Sequence, residues 1–235
     1  MTSSPGRRLT SEAIGTGFLV AAVVGSGIMA RRLSPTDVGL RLLENALATG
    51  VVLTGLILAL GHVSASFNPV VSIAAHRGTG QPVGQLLAVV GAQLAGGVTG
   101  AMVANLMFAL PPVTVATTAR TGVGVWLAEV VATAGLVLII AGTTRIGRPE
   151  WVAVAVGGYI AGAYWFTSST SFANPAVTLA RTLSDTFAGI SPGSVPGFLL
   201  SQAAGGVLGY LLSRVLFTVP AGLSEPVPVT PVQET

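Results

Sequence analysis

The chain has 235 residues, of which 51% are hydrophobic and only 8% charged, and its mean hydropathy is +0.78. Soluble domains carry about 25% charged residues, so this composition excludes an ordinary water-exposed surface and makes the lipid bilayer the expected solvent. The eleven basic residues exceed the eight acidic ones by three and are spread along the chain, which excludes a nucleic-acid-binding patch. The absence of cysteine excludes disulfides and thiol chemistry.

Apolar stretches of two lengths follow one another along the chain. Crossing a bilayer takes roughly 20 apolar residues in a helix, and six stretches are long enough. Two others are too short to cross, and both begin with Asn-Pro. The long stretches are about 13–30, 43–62, 83–108, 123–142, 151–167 and 196–217, and the short ones are about 68–76 and 174–183. We therefore expect one transmembrane domain within residues 1–235, with polar tails at 1–10 and 218–235.

The chain also repeats itself at an offset of 106 to 117 residues. Three pairs of segments match in the same order: Ser-Glu-Ala around Glu12 with Ala-Glu-Val around Glu129, the two Asn-Pro segments, and Gln-Leu-Ala-Gly-Gly from Gln93 with Gln-Ala-Ala-Gly-Gly from Gln202. The halves are about 11–110 and 123–217, and each holds three long stretches. Because three is odd, the second half must enter the membrane upside down, which predicts an inverted repeat with its functional site near the midplane.

Each Asn-Pro pair predicts the start of a short helix. Proline at the first helical position needs no N–H partner, and asparagine before it is a good N-cap. Pro69 with Val70, and Pro175 with Ala176, therefore begin two half-helices. In an inverted repeat these half-helices enter from opposite faces and bring their positive N-termini together at mid-membrane.

This arrangement predicts a pore. Irregular backbone at membrane depth survives only where it is buried in protein or lines a wet cavity, which applies to residues 61–67 and 167–173. Asn68 and Asn174 would offer amide donors to a solute oxygen at the narrow centre. Two positive helix ends would repel cations there, while neutral molecules bearing hydroxyl groups would pass.

With these motifs the sequence resembles the major intrinsic protein family, which comprises the aquaporins and aquaglyceroporins. The segments that carry the resemblance are SEAIGTGFLV, GHVSASFNPVVSIA, GAQLAGGVTG, AEVVATAGLVL, TSFANPAVTLA and SQAAGGVLG. The resemblance implies an all-α membrane protein with six transmembrane helices and two re-entrant half-helices. It also implies a multi-pass protein of the cell membrane with both termini cytoplasmic, a homotetramer with one pore per subunit, and no cofactor or metal.

Departures from the family pattern bear on selectivity. Val70 stands where alanine is usual, and it adds bulk without removing a donor. Val177 stands three residues after Asn174, where the family normally has an arginine of the outer selectivity filter. Arg181 lies one helical turn further along, and we do not expect it to replace that arginine.

The assignment of the remaining filter positions depends on the two loops before the asparagines, which look one residue shorter than is usual in the family. If the missing residue lies in these loops, the filter residues of the second and fifth long helices are Thr49 and Ala163. If no gap is allowed, counting gives Ala48 and Gly162. All four are small, and the large aromatic or histidine of water-selective relatives is missing. Ser171 or Phe172 would supply the last position.

A wide filter without its arginine favours solutes larger than water. We expect glycerol-like polyols, trivalent metalloid hydroxides such as arsenite, methylated arsenicals and water to pass. The replacement of arginine by Val177 resembles bacterial channels associated with arsenic-resistance operons. A water-selective aquaporin is the alternative within the family, and an ion-coupled secondary transporter is the alternative from another class.

Three further residues are candidates for roles beside the pore. Glu12 and Glu129 occupy repeat-related places in the first and fourth helices, which favours a structural role in binding the loops before the half-helices over proton relay. His62 precedes the first such loop and is a possible gating residue, although a plain pore-lining or packing role is favoured. With two histidines and no Ser-His-acid set in the repeat, an enzyme is not expected.

Overall fold

The computed structural model describes residues 4–76 and 82–217, and within those ranges the chain is helical with no strand. Eight α-helices follow in chain order: α1 (Pro5–Leu33), α2 (Val38–Leu60), α3 (Pro69–His76), α4 (Val83–Met107), α5 (Val123–Thr144), α6 (Pro149–Phe166), α7 (Pro175–Ala180) and α8 (Val195–Leu216). Short 3-10 turns cover Arg181–Leu183 and Pro192–Ser194. Residues 1–3, the connection 77–81 and the predicted tail 218–235 lie outside the described residues.

The helices begin and end close to the predicted stretches, with two differences. Ser4 caps α1 through its side chain and Pro5 follows at a favoured first position, so the expected tail at 1–10 is too long. The second half-helix is only six residues long, because the chain tightens into a 3-10 turn at Arg181–Leu183.

Five of the described helices are long and apolar enough to cross a membrane. They are α1, α2, α4, α5 and α8 with its preceding turn. The remaining predicted span, 151–167, corresponds to α6, which has 18 residues and opens with Pro149-Glu150. At 1.5 Å per residue it is about 27 Å long, close to the thickness of the hydrocarbon core, and it packs along α2 and α5.

The two halves pack in the same way. The closest helix pairs are α1 with α4 in the first half and α5 with α8 in the second. A β-carbon at Gly100 would lie 2.2 Å from the carbonyl oxygen of Gly17, and one at Gly209 would lie 2.5 Å from that of Ala134. Glycine is therefore what allows both pairs of backbones to approach, as is usual for helices packed in lipid.

The half-helices complete the inverted repeat. Each packs against the last long helix of both halves, because α3 and α7 each contact α4 and α8, and the two half-helices also contact each other. We call the membrane face at which α1 begins and α8 ends the terminal face. Then α3 enters from the terminal face and α7 from the opposite face, and their N-termini meet between the two halves.

Candidate pore and its central constriction

A cavity of about 450 Å³ runs between the two halves of the chain. Its wall combines both half-helices, both irregular segments and the long helices α1, α2, α5 and α6. At the terminal face the wall includes Gly61, Ala75, Thr144 and Arg148; at the centre, Asn68 and Asn174; and towards the opposite face, Thr49, Tyr164, Phe172, Val177 and Arg181. No acidic side chain is among the described residues that line it.

The centre of the cavity is built by two reciprocal hydrogen bonds. The side-chain amide of Asn68 donates to the carbonyl of Ala173 at 2.7 Å, and that of Asn174 donates to the carbonyl of Phe67 at 2.8 Å. Each asparagine therefore bonds the residue that precedes the other one. An amide nitrogen has two hydrogens, so each asparagine keeps a second donor for a solute in the cavity.

The same asparagines cap their own half-helices. The side-chain oxygen of Asn174 accepts from the backbone N–H groups of Ala176 at 3.0 Å and Val177 at 3.3 Å. The oxygen of Asn68 accepts from the N–H of Val70 at 3.0 Å. Because the amide oxygens are held by the helix starts, the amide nitrogens are the atoms that face across the centre.

Backbone of unusual conformation leads into each asparagine. Phe67 and Ala173 have φ of 48° and 46°, a left-handed conformation uncommon for residues other than glycine. The ring of Phe67 takes the space beside Gly15, where an added β-carbon would lie 1.9 Å from the ring. Such strain of about 1–3 kcal/mol per residue persists only where the surroundings fix the backbone.

Glu12 fixes the first of these segments. Its carboxylate is fully buried and accepts from the hydroxyl of Ser64 and from the backbone N–H groups of Ser66 at 2.9 Å and Phe67 at 2.8 Å. The amide of Gln93 also donates to it at 2.8 Å. Four donors thus share one carboxylate, and Glu12 contacts the loop that leads into the first half-helix.

Glu129 does the same in the second half. It is fully buried and accepts from the N–H groups of Phe172 and Ala173, both at 2.9 Å. Gln202 donates to it at 2.7 Å and bonds Thr178 of α7 as well, just as Gln93 bonds Ser72 of α3. The sequence located these two glutamines without showing that each ties a glutamate to a half-helix.

At the level beyond the asparagines the structure corrects one predicted filter residue. Thr49 lines the cavity as expected, but Ala163 does not and is fully buried. The neighbouring Tyr164 lines the cavity instead, with its hydroxyl 3.2 Å from that of Thr49. Successive helical residues point about 100° apart, so an error of one residue in the register replaces the side chain at the wall. An aromatic residue is therefore present where only small ones were expected.

The other predicted filter residues lie together on the wall. Ser171, Phe172 and Val177 all line the cavity. The N–H of Ser171 is held by the hydroxyl of Thr167 at 3.0 Å, and its own hydroxyl has no partner among the described residues. The ring of Phe172 packs edge-on against Phe198 at 4.9 Å.

Arg181 lies one helical turn beyond Val177. It is 2% exposed and lines the cavity together with Val177, four residues before it. Residues four apart share a face of a helix, so this spacing in the sequence was a usable signal. The guanidinium carbon lies 3.5 Å from the centre of the Phe172 ring, and the ring of Phe172 also lies 5.2 Å from the guanidinium of Arg120.

His62 lies at the terminal-face mouth. It is exposed, in the turn after α2, and the cavity wall there includes Gly61 and Arg148 but not His62. Gating by His62 stays a prediction. In the described part of the chain no three His, Asp or Glu residues come together in a group that could hold a metal ion.

A helical bundle around a central cavity, with two half-helices meeting inside it, defines a multi-pass membrane channel. The chain belongs to the major intrinsic protein family, whose model matches residues 2–150. Its members are channels and not enzymes, so the chain is a passive channel for small solutes.

Two curated proteins and one solved structure show the likeness in detail. Aquaglyceroporin AqpS of Rhizobium meliloti is 49% identical over 211 residues, which cover 89% of this chain and 90% of that protein. Aquaporin Z of Bradyrhizobium diazoefficiens is 34% identical over 96 residues, 40% of this chain and 39% of that protein. The X-ray structure of the aquaglyceroporin from Plasmodium falciparum shares the fold, with a TM-score of 0.67, 17% identity, and coverage of 90% of this chain and 95% of that one.

Proposed function

We propose that the channel is a wide facilitative pore for small uncharged solutes larger than water. The solutes are glycerol-like polyols, trivalent metalloid hydroxides such as arsenite, methylated arsenicals, and water itself. The observation that carries the proposal is Val177 on the cavity wall, one turn from the central asparagines, in place of a charged side chain. The identity of 49% to a protein named an aquaglyceroporin supports the same solute class.

The wall of the cavity suits molecules of this kind. Apolar side chains such as Val71, Val156 and Ile160 line most of it, and polar atoms are few and placed along the path. A solute with several hydroxyl groups would exchange water for the second N–H of Asn68 and of Asn174, and for the hydroxyl of Tyr164. The positive ends of two half-helices meet at the centre, so a cation meets a barrier there that a neutral solute does not.

Passive flow is favoured over ion coupling. Proton-coupled transporters typically use intramembrane carboxylates as relays that the coupling ion can reach. Glu12 and Glu129 accept three or four hydrogen bonds each from the loops and glutamines, and neither lines the cavity. We further propose that the terminal face is cytoplasmic and that four copies assemble with one pore each, both by family resemblance.

Stopped-flow light scattering on proteoliposomes tests the proposal, with glycerol, arsenite and water gradients applied to wild type and to Val177→Arg. We expect wild type to pass all three solutes without a coupling ion, and Val177→Arg to lose glycerol and arsenite flux by about tenfold or more while water flux falls less. Val177→Met is the matched control, since it adds length without charge.

Three outcomes would contradict the proposal. Equal glycerol and arsenite fluxes in wild type and Val177→Arg would show that position 177 does not set the solute. Fast water flux with no solute entry in wild type would instead indicate a water-selective aquaporin. Flux that depends on a proton or sodium gradient would indicate a coupled transporter.

A further inference from the structure

A guanidinium stands in the cavity wall even though position 177 carries none. Arg181 is 2% exposed and lines the cavity four residues beyond Val177, on the same face of α7 and the turn that follows. The related position in the first half-helix, seven residues after its asparagine, is Ala75, which also lines the cavity. At this position the second half-helix therefore presents a fixed charge and the first a methyl group, although Arg148 also lines the cavity at the terminal face.

Arg181 is held in place on one side only. Its Nε donates to the carbonyl of Ala188, and its guanidinium stacks over the ring of Phe172 at 3.5 Å, a favourable cation–π distance. In the described part of the chain, no other acceptor binds it and no carboxylate forms an ion pair with it. Its two terminal nitrogens have no hydrogen-bond acceptor among the described residues, and the side chain lines the cavity, so both nitrogens can bind a water or solute oxygen.

Arg120 uses the same aromatic ring in a different way. Its guanidinium carbon lies 5.2 Å from the centre of the Phe172 ring, and its Nε and one terminal nitrogen donate to the carbonyls of Gly189 at 3.0 Å and Phe187 at 3.3 Å. It does not line the cavity. Arg120 therefore fixes the loop, while Arg181 is the arginine of this pair that presents free donors and charge to the pore.

Both arginines lie near Glu129, which does not neutralise Arg181 by contact. The Glu129 oxygens are taken by the N–H groups of Phe172 and Ala173 and by Gln202. The Glu129 carboxylate therefore binds the backbone of Phe172 and Ala173 and not the guanidinium of Arg181. The positive charge of Arg181 remains directed at the cavity.

We propose that Arg181 is the charge-selecting residue of this pore, displaced by one helical turn from position 177. It excludes cations from the opposite-face entrance and offers two guanidinium donors to the oxygens of neutral polyhydroxy solutes. The inference rests on the proposed function, since it assigns selectivity within the same pore. It separates the width of the filter, set by Val177, from its charge, set by Arg181.

The test measures charge and solute separately on each protein. Proteoliposomes are loaded with a pH-sensitive dye, a membrane potential is imposed with potassium and valinomycin, and proton entry is recorded beside glycerol flux by light scattering. The proteins are wild type, Arg181→Gln, Arg181→Lys, Phe172→Leu and the matched control Arg120→Gln. Thermal unfolding of each purified protein in detergent reports whether the channel has folded.

We expect wild type, Arg181→Lys and Arg120→Gln to be as tight to protons as empty liposomes. Arg181→Gln should leak protons at least about tenfold faster, because one unit charge close to the path is worth several kT at a protein-like dielectric. Its glycerol flux should also fall, because two donors to the solute are lost. Phe172→Leu keeps both arginines but removes the ring under Arg181, so an intermediate leak is expected. This variant tests the inference even where Arg181→Gln does not fold.

The inference is overturned where wild type already leaks protons, or where folded Arg181→Gln and folded Phe172→Leu both stay tight to protons. A leak of equal size in Arg120→Gln would overturn it too, because the effect would then belong to the loop. If wild type passes no glycerol, the proposed function is contradicted but the inference about Arg181 is not, because proton entry is measured independently of glycerol flux.

Discussion

The two halves of the chain build their half-helices with the same parts. In each, a buried glutamate holds the irregular segment, a glutamine ties that glutamate to the half-helix, and an asparagine caps it and bonds the other half. Valine follows three residues after each asparagine, at Val71 and Val177, and both line the cavity. The framework of the pore is therefore close to symmetric across the midplane.

The halves differ in the residue at the far end of each half-helix and in the number of hydrogen bonds that hold the loop before it. Seven residues after the asparagine, the first half has Ala75 and the second has Arg181. Glu12 accepts from four donors and Glu129 from three. Duplication thus explains the pore, and the unpaired differences between the copies explain why its two entrances are chemically distinct.

The largest effect is expected from removing the glutamates. Hydrogen bonds to a charged group contribute about 1.5–3 kcal/mol each, so Glu12→Gln should lower the free energy of unfolding by several kcal/mol. Glutamine keeps one acceptor but turns an N–H group towards backbone donors. Glu129→Gln should cost somewhat less because it has one donor fewer. Thermal unfolding in detergent measures both, with the exposed Glu150→Gln as control.

Equal midpoints for the two variants would show that the hydroxyl of Ser64 adds nothing to the Glu12 site. Midpoints equal to wild type would contradict the structural role of both glutamates.

A smaller effect distinguishes the two glycines of α4 and α8 that face the half-helices. A β-carbon at Gly206 would lie 2.5 Å from Val70, whereas one at Gly97 would lie 3.3 Å from Ala180. Gly206→Ala should therefore destabilise by about 1–3 kcal/mol, and Gly97→Ala by much less. Adding Val70→Ala should restore most of the stability lost in Gly206→Ala.

A double-mutant cycle of unfolding free energies measures that coupling between positions 70 and 206. Additive effects would mean that the bulk of Val70 is not what meets the new methyl group.

The smallest effect concerns the connection that follows α7. Asp185 accepts from the N–H and the hydroxyl of Thr117, both at 2.9 Å, and these bonds lower the pKa of its carboxyl. A lowered pKa stabilises the folded protein above the usual pKa of aspartate, and this contribution is lost as the pH falls through the folded value. Asp185→Asn should remove this part of the acid dependence of the unfolding midpoint, by a small amount since the carboxyl is exposed. An unchanged acid dependence would show that the contact contributes nothing.

The fold could be predicted from the sequence because the internal repeat specifies it. The repeat is visible in the matching segments around Glu12 and Glu129 and in the two Asn-Pro pairs. Because each half has an odd number of long helices, the second half must have the opposite orientation in the membrane. The helix bounds followed from apolar length. The start of α1 at Pro5 was missed because residues 5–10 are polar, and polarity does not prevent a helix that extends beyond the hydrocarbon.

The filter was predicted less well because it depends on angles around helices. Counting placed Ala163 at the wall, and a difference of one residue brings Tyr164 there instead. Arg181 was set aside as too far along, although four residues from Val177 is one turn on the same face. The stacking of Arg181 and Arg120 on Phe172 joins residues 120, 172 and 181, and no spacing in the sequence indicates that contact.

The reciprocal bonds between Asn68 and Ala173, and between Asn174 and Phe67, also bear on motion. Either half-helix can shift along the pore only when a buried bond of 2.7 or 2.8 Å breaks, and the cap of a helix is disturbed with it. We therefore expect the two halves to move together at this level. We also expect the aperture there to vary less than the two mouths, so that any regulation of flow would act at the mouths.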